Sequence, residues 1–72
     1  MTTSPTAKEL LALEFAVPET TLIRITAAEA AAAHSDLTAA RAAGQNPDAE
    51  ATISVLVAAR NALESQVIHQ VA

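Results

Sequence analysis

Gly44 is the only glycine in the chain, and it stands between two helix-start signals. Upstream, Thr26-Ala27-Ala28-Glu29 places a hydroxyl and a carboxylate at the spacing of a reciprocal capping box. Downstream, Asn46-Pro47-Asp48 offers a cap, a proline suited to the first helical position and a carboxylate against the N-terminal dipole. Gly44 itself suits the left-handed residue that closes a helix. This punctuation predicts one helix over about 27–43, a very short turn and a second helix over about 47–71. The pair forms an antiparallel hairpin spanning 26–72.

The segment before the hairpin is less regular. Residues 1–4 read as a polar, arm-like tail, and residues 5–72 as a single small domain. Ser4-Pro5 resembles a cap followed by a first-turn proline, which predicts a short helix over about 5–16. Pro18 ends it, because the residue before a proline is pushed out of helical conformation. Residues 20–26 are rich in β-branched side chains, with Thr21, Ile23 and Ile25 alternating on one face of an extended chain. A lone strand cannot satisfy its own backbone. The segment 18–26 is therefore expected as an extended connector, with intermolecular strand pairing or conversion to helix as the alternatives. The fold class is all-α.

Size makes the core thin. A chain of 72 residues buries only about 60% of its unfolded surface. Apolar residues make up 51% of the sequence, but alanine, at 19 positions, is about half of them. Alanine favours helix and hides little area. Cysteine is absent, which excludes disulfide staples, so oligomerisation or a partner is the remaining route to extra burial.

Helix 2 of the hairpin is longer than helix 1, about 38 Å against about 25 Å at 1.5 Å per residue. In antiparallel register Leu37 faces the level of Ile53 and Leu56, and Ala30 faces Arg60 and Asn61. Residues beyond Glu64 outrun helix 1. At about 100° per residue, Ile53, Leu56, Val57, Leu63, Val67, Ile68 and Val71 share one broad face, with Arg60 and Glu64 at its centre. These charged residues read either as stems that pack while their tips reach water, or as a device fixing the register of a helix–helix interface through Arg60 with Glu64 or Glu29. The expected partner interface comprises Leu56, Arg60, Leu63, Glu64, Val67, Ile68 and Val71, with Leu22, Ile23 and Ile25 from the connector.

Chemistry is sparse. His34 and His69 each follow a glutamate by five positions, about 140° apart around a helix, so no such pair grips one ion from one helix. Both histidines read as solvent-exposed, and no metal or cofactor is expected. Ser35 and Asp36 neighbour His34 in sequence and do not face it, so an enzyme is not expected. The net charge is −4 with scattered basic residues, which argues against nucleic acid. No apolar run spans a bilayer, the N-terminus lacks a signal-peptide pattern, and no small-molecule substrate is evident. The expectation is a cytoplasmic, non-enzymatic assembly module, self-associating or docking on a larger body such as a phage particle. The alternative is a small regulatory binder, an antitoxin, inhibitor or adaptor, acting through helix 2.

Overall fold

The computed structural model describes residues 5–71, and within them the side chains of 5–66. Every regular element among the described residues is helical: α1 (Ala7–Phe15), α2 (Glu19–Leu22), α3 (Ala27–Ala42) and α4 (Ala49–Val71).

α1 begins later than its sequence signal. Thr6, not Ser4, supplies the cap: its hydroxyl accepts the Glu9 N–H at 3.2 Å, so Pro5 stands before the cap rather than inside the helix. Ser4 lies outside the described residues. The helix ends at Ala16, whose backbone turns left-handed at φ 54°. The Ala16 and Val17 N–H groups both donate to the Leu11 carbonyl, which turns the chain back and buries Val17.

The segment expected as an extended connector over 18–26 is instead wound. Glu19–Leu22 form one helical turn, entered through Pro18 at φ −64°. The Pro18 carbonyl accepts from Thr21 and Leu22, and the Arg24 and Ile25 N–H groups bond back to Thr21 and Leu22. The physical reason is local satisfaction. With no strand beside it, the backbone can pair only with itself. Winding also puts Leu22 and Ile25 into the core together, while Ile23 between them is 73% exposed.

α3 starts as its sequence indicates. Thr26 Oγ1 accepts the Glu29 N–H at 3.1 Å, and Glu29 Oε1 accepts the Thr26 N–H at 2.8 Å. At the far end Gly44 adopts φ +82°; its N–H donates to the Arg41 carbonyl and that of Gln45 to Ala40, the paired bonds of a Schellman closure. α4 begins at Ala49 rather than Pro47. Asp48 acts as the cap, its carboxylate accepting the Ala51 N–H at 3.2 Å and its carbonyl the Thr52 N–H at 3.1 Å. A carboxylate facing free N–H groups outcompetes the neutral Asn46 amide, because it also meets the positive end of the helix dipole.

All four helices contribute to one small core. Leu11, Val17, Leu22, Ile25, Ala30, Ala33, Leu37 and Ile53 are buried, fringed by Ala7, Phe15, Ala49, Leu56 and Val57. α3 packs against both α1 and α4. It meets them through alanines: Ala30 and Ala33 are fully buried, and their small side chains admit close approach of neighbouring helices. Leu37 and Ile53 share the core.

Candidate interaction surface

Two polar clusters lock the inside of the molecule and thereby fix what remains outside. The first centres on Arg60. Its Nη1 donates to Glu29 Oε1 at 2.7 Å, and its Nη2 donates to the Arg24 carbonyl at 3.3 Å. One guanidinium thus joins α4, the capping box of α3 and the turn after α2. Glu29 is only 13% exposed and Arg60 31%; Glu29 Oε2 is buried without a partner.

The second cluster joins α1 to α3 around Phe15, the only phenylalanine, tyrosine or tryptophan in the chain. Arg41 lies over its ring, with Cζ 4.1 Å from the centroid. His34 meets it edge-on at 5.9 Å. Arg41 Nη2 also donates to the Glu14 carbonyl, and His34 Nε2 lies 3.2 Å from Glu14 Oε1. His34 is therefore half-buried and engaged, not the free surface histidine its sequence context suggests. The side chain of His69 lies outside those described.

The residues expected at a partner interface divide three ways. Leu22 and Ile25 are core residues, Leu56 packs against the core, and Arg60 is engaged within the chain. Ile23, Leu63 and Glu64 are exposed. The side chains of Val67, Ile68 and Val71 lie outside those described, although α4 itself continues to Val71.

The exposed side of α4 is contained in the expected interface only in part, through Leu63. Three ionisable residues occur between Ala49 and Gln66: Glu50, Arg60 and Glu64. Glu50 accepts from the Thr21 hydroxyl at 3.3 Å and Arg60 reaches Glu29, so both lie toward the rest of the chain. Glu64, one turn beyond Arg60, follows the same side. Around the helix, Ala51, Val55, Ala59 and Leu63 form one row and Ser54, Ala58 and Ala62 the next, all exposed; Ser54 and Ala58 border the 21–25 turn, and Leu63 stands two turns beyond Leu56 on the side of the core contacts. Val55 is 68% and Leu63 63% exposed. Beyond Leu63, the signal that finds this face is the absence of charge at these positions.

A cavity of about 210 Å³ opens where the 21–25 turn meets α4, lined by Thr21, Arg24, Ile25, Ile53, Ser54 and Val57 among others. It brings together no nucleophile with a base. No cluster of three or more metal-ligating side chains occurs among the described residues, and no described helix is long and apolar enough to cross a membrane. No protein-family model, curated protein sequence or solved structure matches the chain.

Proposed function

We propose that this chain is a non-enzymatic helical assembly module whose contact surface is the outward face of α4. The packing unit is the antiparallel hairpin of α3 and α4, and the module works in the cytoplasm or in a particle built there, such as a phage particle. The observation that carries this reading is the exposure of large apolar side chains on α4, Val55 at 68% and Leu63 at 63%. An ordinary surface helix turns charged groups to water; here Val55 and Leu63 stand exposed among alanine and serine, while Arg60 is tied to Glu29 within the chain. A helix uncharged on its outer side and apolar on its inner one is suited to being covered on both. Ile23, Leu63 and Glu64, all from the expected interface set, are exposed and accessible to a partner.

A regulatory binder is the second reading, favoured by the modest length of the face, which matches a single partner helix. Light-scattering mass of the purified chain separates the two. Particles of defined size above the monomer support assembly. A strictly monomeric chain at every concentration favours the binder.

A further inference from the structure

We infer that the cavity between the 21–25 turn and α4 binds a small carboxylate with an apolar body, a medium-length aliphatic acid such as hexanoate. The cavity measures about 210 Å³, more than the roughly 150 Å³ of an apolar cavity that takes up benzene. Its lining combines what a small-ligand site needs, an apolar surface and a few polar groups that orient the ligand. Such a site is independent of whether the chain assembles.

The cavity follows from residue size and spacing. Ser54, Val57, Ala58 and Asn61 recur at three- and four-residue intervals, one stripe of α4, and line it together with Thr21 and Arg24 of the turn. Ser54 and Ala58 are too small to fill the gap that the turn leaves. Ile25 and Ile53 also line it, and both are core residues, so the apolar surface offered to a ligand is continuous with the core. The turn is tied to α4 at both ends: the Thr21 hydroxyl donates to Glu50, and the Arg24 carbonyl accepts from Arg60. The walls are therefore fixed before a ligand arrives, which spares the ordering cost of binding.

Charge sets the class of ligand and its direction. The Arg24 side chain is exposed and, among the described residues, joins no hydrogen bond or ion pair. A guanidinium offers paired donors matched to a carboxylate, and the amide of Asn61, next to Arg60 in sequence, adds a neutral donor at the same end. At the other end Thr21 is committed to the Glu50 carboxylate, which repels an anion. The head group therefore belongs at Arg24 and Asn61, and the tail runs past Val57 and Ile53 toward Ser54. Asn61 and Ser54 stand about 10 Å apart along α4, the reach of a medium-length acid rather than of acetate.

A nuclear magnetic resonance titration of the full chain with sodium hexanoate tests the site. Saturable shifts are expected at the amides of Thr21, Arg24, Ser54, Ala58 and Asn61, with a dissociation constant on the order of 1 mM for so small a ligand. Hexanol lacks the charge and should bind about fivefold more weakly, the modest factor of a solvent-exposed ion pair. Sodium acetate, which lacks the apolar body, should give no saturable shifts. Arg24→Gln should bring hexanoate down to the affinity of hexanol and leave hexanol unchanged; the backbone carbonyl that holds Arg60 remains, so the fold is kept. Ala58→Phe should fill the cavity and abolish binding of both. Circular dichroism checks that the variants stay helical, and if Ala58→Phe does not, the Arg24→Gln result decides alone. Absence of saturable shifts at these amides, equal binding of hexanoate and hexanol, or hexanoate affinity indifferent to Arg24→Gln overturns the inference.

Discussion

Arg60 and Glu29, thirty-one positions apart, share a 2.7 Å charge-assisted hydrogen bond on the same carboxylate oxygen that accepts the Thr26 N–H. The capping box of α3 is thus held from outside by α4. Removing Arg60 leaves Glu29 largely buried with one bond fewer, and frees the Arg24 carbonyl. Hydrogen bonds to charged groups contribute about 1.5–3 kcal/mol; Arg60 is almost one-third exposed, so solvent screening favours the lower part of that range. Arg60→Ala should cost about 2 kcal/mol. Arg41→Ala removes an exposed cation–π contact and one bond to the Glu14 carbonyl, and should cost about 1 kcal/mol or less. Thermal melts should place Arg60→Ala well below Arg41→Ala; equal melting temperatures would contradict the assignment.

The two left-handed residues should respond with opposite sign. Gly44 has φ +82° and open space where a Cβ would sit, so Gly44→Ala meets conformational strain and no clash, costing about 1–2 kcal/mol. Ala16 already bears that strain at φ 54°. Ala16→Gly should therefore be neutral or stabilising by up to about 1 kcal/mol, whereas alanine-to-glycine changes inside α3 should cost about that much. Urea titration of the variants checks both signs.

Helix α4 should be more sensitive at Asp48 than at Asn46. Asp48→Ala removes the side-chain acceptor for the Ala51 N–H and should cost about 1 kcal/mol. Asn46→Ala makes an exposed change away from the cap and should stay within about 0.5 kcal/mol. Amide exchange at Ala51 should quicken in the first variant and stay unchanged in the second.

Leu37 and Leu63 provide a contrast between core and surface. Leu37 is almost wholly buried, and Leu37→Ala should cost about 2–5 kcal/mol, enough to unfold a marginal domain. Leu63→Ala should leave the dilute chain's stability within about 0.5 kcal/mol while weakening any association. A large loss of monomer stability at Leu63 would mean that residue belongs to the core.

What was readable in the sequence was short-range. Thr26 with Glu29, and Gly44, specify their bonds within a few residues, so the ends of α3 fall where the pattern puts them. The start of α4 slipped because Asn46 and Asp48 are both capable caps, and only the competition for free N–H groups decides between them. The 18–26 segment winds against its pattern because the alternation of Thr21, Ile23 and Ile25 reflects a strand preference that depends on a neighbouring strand. The three-residue spacing of Leu22 and Ile25, which the core selects, was the weaker local signal. Arg60 stood out as a charge on an apolar face, with Glu29 as one of two candidate partners; distance in the fold chose between Glu29 and Glu64. In the outer row Leu63 is legible from sequence as an apolar group, whereas Ala51 and Ala59 are neutral in any periodicity and gain meaning only once the inner side of α4 is known.

The clamp around Phe15 gives the molecule a built-in reporter. With no tryptophan or tyrosine, the chain is nearly invisible at 280 nm, and its one benzenoid ring sits between Arg41 and His34. Aliphatic protons shifted by a phenyl ring current lie near that ring, where Arg41 sits 4.1 Å from its centroid. The side-chain resonances of Arg41 read the docking of α1 on α3 directly, without a label. During unfolding or dilution they would distinguish release of the N-terminal helix from separation of α3 and α4.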